Sequence, residues 1–331
     1  DTVFFVCTGS EANDLAYRIA QNYTKSKDVL VMDNAYHGHT NTLINLSPYK
    51  FKGKGGLGKK DFVHIVDMPD GLRGRWKYSD KDWVKKYILQ AQSVVDEVYK
   101  NKKTLSCFIV ESILGCGGQI ILPPSYLKEV FKIIRKRKAL CIIDEVQTGF
   151  GRVGNFFWGF EEHGIIPDIV TLGKPMGNGH PIAAVVTTKK IANKFNNGME
   201  YFNSFGGNPV SCSIGNAVLD VIENQKLQKH AKITGDYFLK SLNRIKSKFS
   251  KLISEVRGRG LFLGIDLINN ENNLPNAKLA TLIINKMRKR GILLSTDGPY
   301  HNVIKIKPPM TFNKDNVDLV CFELNNILKN F

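Results

Sequence analysis

Four charged residues each stand just behind a short apolar stretch of this sequence. These residues are Asp33, Glu111, Asp144 and Lys174. A carboxylate in apolar surroundings is costly unless a cation or a strong hydrogen-bond donor lies next to it. A lysine in such surroundings can act as a nucleophile. The pattern therefore indicates a site in which carboxylates and a lysine work together.

A turn of small residues supplies a further part of the predicted site. Residues 7–10 follow the apolar run 3–6 and precede a helix-like segment. Free backbone N–H groups at the start of a helix bind phosphate. One Asp, one Lys and a phosphate-binding turn suit pyridoxal phosphate, with the Lys forming the Schiff base and the Asp holding the ring nitrogen protonated. Spacing alone leaves open a buried Asp–Lys ion pair beside a capping turn.

Strand-like and helix-like segments alternate along the first two thirds of the chain. Short β-rich runs predict strands at 3–6, 29–32, 62–66, 107–110, 140–143, 169–172 and 182–186. Apolar residues spaced i, i+3, i+4, i+7 predict helices around 84–91 and 127–134, the second with Ser125 as its N-cap. The alternation predicts an α/β fold whose mainly parallel sheet has helices on both faces and binds its ligand beyond the carboxyl ends of the strands.

The sequence becomes richer in lysine and asparagine after about residue 222. We predict a helix over 227–251, a strand over 258–267, a helix that ends at Gly291, a strand over 303–307 and a final helix. The chain is therefore expected to form a large domain over 1–222 and a smaller α+β domain over 223–331.

Composition limits the classes of protein that the chain can belong to. It has 331 residues, of which 43% are apolar, and a formal net charge of +17. A chain of this size and apolar content can bury a sizeable core, which excludes disorder. No apolar run approaches the roughly 20 residues that cross a bilayer, so we expect no membrane contact. Six cysteines without a Cys-x-x-Cys pair predict free thiols and no metal site.

The glycine-rich segment 53–58 raises a competing hypothesis. It satisfies G-x-G-x-x-G and nearly satisfies the P-loop pattern, while 141–145 resembles a Walker B strand. With the basic net charge, a nucleic-acid-dependent NTPase becomes an alternative. However, Lys60 stands where a P-loop needs Ser or Thr for magnesium. We therefore interpret the segment as a surface loop, expect no nucleic-acid partner, and interpret the basic charge as a lysine-rich surface.

Five segments carry a resemblance to a known family. The segments are Thr-Gly-Ser-Glu-Ala-Asn at 8–13, Tyr-His-Gly at 36–38, Ile-Asp-Glu-Val-Gln-Thr-Gly-Phe-Gly-Arg at 143–152, Leu-Gly-Lys at 172–174 and Phe-Gly-Gly-Asn-Pro at 205–209. In this order they resemble the motifs of the class III aminotransferases, pyridoxal phosphate enzymes of fold type I. Family members begin well upstream of the strand at 3–6, so the chain is expected to be an N-terminally truncated form.

The resemblance implies cofactor contacts at the matching positions. Lys174 is implied as the Schiff-base lysine and as the base that moves the substrate proton. Asp144 is implied to bind the pyridine nitrogen, and Gln147 the ring hydroxyl. Val146 and Tyr36 are implied to cover the two faces of the ring, where an aromatic side chain keeps the ring dry.

Further residues are implied around the phosphate and behind the ring. Gly9 and Ser10 would hold the cofactor phosphate. Ser204 takes the place of a family Thr that reaches the phosphate of the neighbouring subunit, so the resemblance implies a homodimer or a dimer of dimers. Glu111 is expected to support the cofactor by hydrogen bonding. His37 is either a cofactor contact or a structural histidine.

Two segments, 173–181 and 297–309, look most like the phospholyase branch of the family, which acts on ethanolamine phosphate or 5-phosphohydroxylysine. Ordinary aminotransferases clamp the substrate carboxylate with an Arg where this chain has Lys305. Lys305 is therefore the expected substrate-binding residue, but a lysine offers a point charge in place of a bidentate fork, which argues against recognition of an α-carboxylate. We therefore expect a lyase that releases phosphate from a phosphorylated primary amine, with a class III aminotransferase of the ω-amino acid or alanine–glyoxylate type as the alternative. The resemblance also hints at a mitochondrial location, with the cytoplasm as the other expectation.

Overall fold

A computed structural model describes residues 1–331 and divides the chain into two compact units. The first unit comprises 1–112, 122–149 and 159–220, and the second comprises 113–121, 150–158 and 221–331. The main boundary lies two residues from the expected one. The two short segments 113–121 and 150–158 were not expected in the second unit, because nothing in their composition separates them from their neighbours.

Thirteen strands and ten helices make up the two units. In chain order the strands are β1 (Thr2–Val6), β2 (Asp28–Met32), β3 (Val63–Val66), β4 (Leu105–Glu111), β5 (Ile113–Leu114), β6 (Ile120–Ile121), β7 (Leu140–Asp144), β8 (Ile169–Leu172), β9 (Ala183–Thr187), β10 (Ile253–Arg259), β11 (Phe262–Leu267), β12 (Ser295–Asp297) and β13 (Val303–Ile306). The helices are α1 (Gly9–Thr24), α2 (Asn41–Asn45), α3 (Pro48–Phe51), α4 (Trp83–Lys100), α5 (Tyr126–Lys136), α6 (Lys189–Phe195), α7 (Pro209–Asn224), α8 (Leu227–Lys248), α9 (Ala277–Arg288) and α10 (Lys314–Leu328).

A seven-stranded sheet forms the centre of the first unit. Its order is β1-β9-β8-β7-β4-β2-β3. The pairs β2–β3, β2–β4, β4–β7 and β7–β8 are parallel, whereas β8–β9 and β1–β9 are antiparallel. These are the seven strands that the sequence predicts, with ends that move by one or two residues. The predicted α/β fold with a mainly parallel sheet is confirmed.

Helices cover both faces of this sheet because successive strand residues point to opposite sides. On β4, Ile109 belongs to the apolar cluster that contains Ala16 and Ile19 of α1. Its neighbour Phe108 instead meets Phe131 of α5, with ring centroids 6.3 Å apart in an edge-to-face arrangement. Alanines on the inner side of α1 let the helix approach the sheet closely. The sheet is therefore buried on both sides, and its polar groups collect at strand ends.

The starts of two helices differ in how they are capped. Thr8 precedes α1, and its side chain accepts a hydrogen bond from the backbone N–H of Glu11 at 3.1 Å. The predicted N-cap Ser125 does stand before α5, but its backbone is left-handed (φ +66°) and its side chain makes no capping bond. The expected cap is therefore wrong, because an N-cap side chain reaches the first turn from an extended backbone.

The second unit is an α+β arrangement built on the four-stranded antiparallel sheet β10-β11-β13-β12. Phe238, Leu263, Ile283 and Ile304 belong to its apolar core. The single strand predicted over 258–267 is wrong, because the chain turns within it. Arg259 pairs with Phe262 across a two-residue turn that starts at Gly260, whose φ of +52° favours glycine.

The glycine-rich segment 53–58 is an exposed turn between α3 and β3. A P-loop needs a strand before it and a helix after it, and this segment has the reverse. The P-loop hypothesis is therefore contradicted. None of the ten helices is both long enough and apolar enough to cross a membrane.

Candidate active site

Three neighbouring strands bring the predicted polar residues together at one edge of the sheet. Asp144 is the last residue of β7, and its Cα pairs with that of Glu111 on β4 and that of Thr171 on β8. Lys174 follows β8 after a single glycine and starts a 3-10 turn, Lys174–Met176. Parallel strands end on the same side of a sheet, which places these groups side by side.

The carboxylate of Asp144 is buried and accepts three hydrogen bonds. Oδ2 accepts from Nδ2 of Asn13 at 2.8 Å and contacts Nδ1 of His37 at 2.9 Å, while Oδ1 accepts from the backbone N–H of Val146 at 3.1 Å. The side chain of Asp144 is 5% exposed, and no lysine or arginine forms a salt bridge with it. His37, whose ring is a cation only when it is protonated, is thus the only basic side chain next to this buried carboxylate, and a further cation would stabilise it.

His37 is held from both sides of its backbone as well as through its ring. Its N–H donates to Oγ of Ser47 at 2.9 Å, and its carbonyl accepts from Nδ2 of Asn13 at 2.7 Å. Nε2 is buried and has no hydrogen-bond partner. These contacts make His37 a partner of Asp144 within the fold. A direct contact of its ring with the cofactor stays a prediction.

Sequence reasoning missed two members of this network. Asn13 is 1% exposed, and its Oδ1 accepts a 2.6 Å bond from Oγ1 of Thr171, which is fully buried. The available signals were a polar residue inside the apolar strand Ile169–Leu172 and an asparagine at the end of the 8–13 motif. Neither signal says which residue is the partner.

The predicted phosphate turn packs against the strand ends through positions that need glycine. A Cβ on Gly9 would lie 2.6 Å from Cγ1 of Val146, and a Cβ on Gly173 would lie 3.2 Å from Cα of Gly9. Ser10, in the first turn of α1, contacts Nδ1 of His39 through Oγ at 3.1 Å. The start of α1, Val146 two residues after Asp144, and the residue before Lys174 therefore meet in one place.

The remaining predicted residues lie in the same unit. Tyr36 is half-buried, with its ring edge-to-face to Tyr49 at 6.2 Å. Gln147 is partly exposed three residues after the end of β7, and Glu111 is 3% exposed on the rung next to Asp144. Ser204 is exposed. The individual contacts of these residues with the cofactor stay predictions.

Asp33 does not join the network, although the sequence groups it with the other strand-end charges. Its carboxylate forms a 2.7 Å salt bridge with Lys52 near the surface. β2 is separated from β7 by β4, so Asp33 is two strands away from Asp144. Asp33 is therefore neutralised by Lys52 and does not contribute to the site.

Lys305 belongs to the second unit. It lies on β13, and its Nζ is 3.2 Å from Oδ1 of Asp297, whose side chain is 4% exposed. Nε2 of Gln119 also donates to Asp297, at 2.9 Å. The ammonium of Lys305 therefore already has a buried counter-charge within its own unit.

The site's residues fit pyridoxal phosphate. Asp144 is a buried carboxylate without a lysine or arginine partner, so a protonated ring nitrogen would supply the missing cation. The side chain of Lys174 is exposed and forms no salt bridge, which leaves its amine available. The first turn of α1 offers backbone N–H groups and the hydroxyl of Ser10 to a phosphate.

The family is established by comparison with known proteins. The family described as Aminotransferase class-III matches residues 1–328. The chain belongs to the class III aminotransferases, and pyridoxal phosphate is its cofactor. A pyridoxal-phosphate-bound amine transaminase from an uncultivated Pseudomonas species is 26% identical, with a TM-score of 0.89 over 100% of this chain and 77% of that chain.

Relatives within the family carry two kinds of name. A Drosophila melanogaster protein named alanine–glyoxylate aminotransferase 2-like is 47% identical over 321 residues, which are 95% of this chain and 65% of that protein. A Caenorhabditis elegans protein named ethanolamine-phosphate phospho-lyase homolog 1 is 41% identical, covering 99% of this chain and 73% of that protein. The chain thus spans about two thirds of the length of the Drosophila relative.

A phospholyase is among the solved structures that are similar over the whole chain. A phospholyase from Arthrobacter in complex with phosphoethanolamine is 35% identical, with a TM-score of 0.93. The match covers 100% of this chain and 77% of that one. The chain therefore has the fold of the class III aminotransferase family.

Glu145 is a further buried carboxylate, one residue beyond Asp144. It accepts bonds from the hydroxyl of Ser112, from Oγ1 of Thr148 at 2.9 Å, and from the N–H groups of Gly159 (2.9 Å) and Phe160 (2.8 Å). Burial raises the pKa of the Glu145 carboxyl above its ordinary value, although these four donors act in the opposite direction.

Replacing Glu145 by Gln tests whether burial outweighs the donors. We expect Glu145→Gln to destabilise the fold by about 1–3 kcal/mol, because an amide NH₂ faces at least one donor. A raised pKa means that the carboxyl favours folding below about pH 4.3 and that this contribution is lost as pH rises through the raised value. The stability gap to the variant should therefore shrink from pH 4 to pH 7, measured by urea unfolding.

The exposed Glu97 on α4 supplies the matched control. Glu97→Gln makes the same chemical change at the surface and should leave the unfolding free energy within about 0.5 kcal/mol of wild type at every pH. If the difference in unfolding free energy between wild type and Glu145→Gln increases with pH, the four hydrogen-bond donors outweigh burial and the carboxyl pKa is lowered.

Proposed function

We propose that the chain is a pyridoxal-phosphate-dependent lyase that removes phosphate from a phosphorylated primary amine. The substrate is ethanolamine phosphate or 5-phosphohydroxylysine, and the products are an aldehyde, ammonia and phosphate. The similarity to the Arthrobacter phospholyase with phosphoethanolamine carries the proposal, since its 35% identity and TM-score of 0.93 exceed the 26% and 0.89 of the amine transaminase, which also matches the whole chain. A mitochondrial location stays a prediction.

Each site residue has a task in this reaction. When bound, the cofactor supplies an electron sink for the carbon that bears the substrate nitrogen. Asp144 keeps the proton on the ring nitrogen, and Lys174 binds the cofactor and then takes the proton from that carbon. The C–O bond to phosphate breaks, phosphate leaves with the electron pair, and water releases the aldehyde and ammonia.

The other predicted residues orient the cofactor. Gly9 and Ser10 bind its phosphate, and Gln147 binds its ring hydroxyl. Val146 and Tyr36 exclude water from the two ring faces. Glu111 and His37 support the ring side of the site through their positions next to Asp144.

The surroundings of Lys305 favour a substrate without a carboxylate at that position. Family aminotransferases use an arginine there, which binds a carboxylate with two parallel bonds. Lys305 cannot form that fork, and its charge is already paired with the buried Asp297. A substrate carboxylate at Lys305 would have to compete with Asp297. This arrangement supports a phosphorylated amine over an ordinary amino acid, and ethanolamine phosphate over phosphohydroxylysine.

A cation near Tyr36 supports an anionic substrate. Nζ of Lys50 lies 5.6 Å from the ring centroid of Tyr36 and 5.4 Å from that of Tyr49, and it forms no salt bridge. Positive charge without a carboxylate partner beside the predicted ring face favours approach of a phosphate group, in keeping with the net charge of +17.

A class III aminotransferase is the second candidate function. The name of the Drosophila relative favours it, and both activities begin with the same proton transfer to Lys174. The reactions differ in the leaving group, since only a substrate with phosphate on the next carbon can eliminate it. The NTPase alternative is not proposed, because the glycine-rich segment 53–58 does not form a P-loop.

Phosphate release without a keto acid separates the two candidates. We expect the enzyme loaded with cofactor to form equal amounts of phosphate and ammonia from ethanolamine phosphate. Lys174→Ala should abolish release, because the base is lost, while Lys54→Ala in the exposed glycine loop should keep it. Absence of phosphate release together with amino transfer that needs pyruvate or glyoxylate would replace the lyase by an aminotransferase.

We further propose that the enzyme is a homodimer in which Ser204 reaches the cofactor phosphate of the other subunit. The segment around Ser204 exposes four large apolar side chains, which are Met199 (68%), Phe202 (77%), Phe205 (72%) and Val210 (65%). The helix that follows, α7, buries only Ser211 and Gly215 despite its apolar composition. An apolar surface of this extent supports coverage by a second copy.

Charge placed on this surface should separate the subunits. We expect the wild type to sediment as a dimer and Phe202→Glu/Phe205→Glu to sediment as a monomer, because two carboxylates would have to be buried. Leu57→Glu adds a charge at another exposed apolar residue and should remain dimeric. A wild-type monomer with full activity at micromolar concentration would refute the shared site.

A further inference from the structure

Asn13 is the point where three parts of the cofactor site are joined. It lies in the first turns of α1, the helix whose start is the predicted phosphate turn. Its side chain bonds to Asp144 on β7, to the backbone of His37, and to Thr171 on β8. Thr171 precedes Lys174 by three residues. The phosphate turn, the ring-nitrogen carboxylate and the strand that leads to the lysine therefore meet at a single amide.

The orientation of this amide has only one solution. The carboxylate of Asp144 and the carbonyl of His37 can only accept hydrogen bonds, so both require the NH₂ group of Asn13. Thr171 must then donate its hydroxyl proton to Oδ1. The reversed amide would set its oxygen against two acceptors in a buried place, at the cost of both bonds. Asp144 and His37 thus fix which end of Asn13 faces them, and the hydroxyl of Thr171 supports that orientation by donating to Oδ1.

This orientation determines which oxygen of Asp144 remains free to accept a further hydrogen bond. Oδ2 receives two groups, Nδ2 of Asn13 and Nδ1 of His37, whereas Oδ1 receives only the backbone N–H of Val146. With two neighbours at hydrogen-bond distance, Oδ2 has no room for a proton of its own. Oδ1 keeps capacity for one more donor. Asp144 is therefore set up to accept a bond through Oδ1 rather than to donate one.

We infer that Asn13 is a positioning residue that holds Asp144 in the orientation and acceptor state needed by the ring nitrogen, and that Thr171 supports the amide of Asn13 in this task by donating to its Oδ1. The inference rests on the proposed role of Asp144 as the partner of the cofactor's ring nitrogen. It assigns a function to the last residue of the 8–13 motif and to the polar residue in β8.

Substitutions that change one bond at a time test this role. Asn13→Asp places a second carboxylate about 2.8 Å from Oδ2 of Asp144, so the two carboxylates share a proton there. The negative charge left on Oδ1 to hold the ring-nitrogen proton then falls. Thr171→Val keeps the shape of the side chain but removes the donor to Asn13. Thr171→Ser keeps the hydroxyl and is the matched control.

The readout is the protonation of the ring nitrogen, observed by nitrogen NMR of holoenzyme loaded with isotopically labelled cofactor. We expect a protonated signal in wild type and Thr171→Ser, a shift to the unprotonated position in Asn13→Asp, and an intermediate response in Thr171→Val. Cofactor affinity should fall about tenfold or more in Asn13→Asp and several-fold in Thr171→Val.

A role confined to the fold gives a different result. In that case both variants lower the melting temperature of the cofactor-free enzyme, yet the bound ring nitrogen stays protonated and cofactor affinity stays within twofold of wild type. That outcome would overturn the inference. A wild-type enzyme without a protonated signal would instead refute the role of Asp144 itself, and the NMR readout does not depend on whether the reaction is elimination or transamination.

Discussion

The site depends on one buried carboxylate that lacks a lysine or arginine partner. Asp144 ends a fully buried strand, is itself 5% exposed, and is held by neutral donors and an imidazole. Such a group would be unfavourable in a protein with no further cation to bind there. In the proposed site, the ring nitrogen of pyridoxal phosphate is the cation that Asp144 binds. The contacts from Asn13, His37 and the backbone N–H of Val146 hold the Asp144 carboxylate in place before the cofactor binds.

The parallel sheet makes this arrangement possible. Strands β4, β7 and β8 end at one edge, so Glu111, Asp144 and Thr171 share adjoining positions without any long loop. Helix α1 then approaches the same edge through small residues. Gly9 and Gly173 leave no room for side chains beside Val146, which keeps the predicted phosphate turn, the predicted ring-face residue Val146 and Lys174 together. The fold thereby positions groups that are more than 130 residues apart in the chain.

Most of the first unit could be predicted from sequence because its signals are local. Each of the seven sheet strands is a short apolar run, and Asp144 and Lys174 follow two of these runs directly. Side-chain partners over long separations could not be predicted, since Asn13 and Thr171 are 158 residues apart and neither has a local requirement for the other. The turn at Gly260 was hidden because both flanking strands are similar in composition. The pairing of Lys305 with Asp297 likewise has no sequence signal beyond the two charges.

The central claim is that the cofactor is held between Lys174 and Asp144. Borohydride reduction of the holoenzyme fixes the cofactor permanently to the lysine that carries it, and peptide mapping by mass spectrometry then identifies that residue. Modification of Lys174 alone is the expected result. Modification of another lysine, such as Lys50 or Lys305, with Lys174 unmodified, would contradict the account of the site.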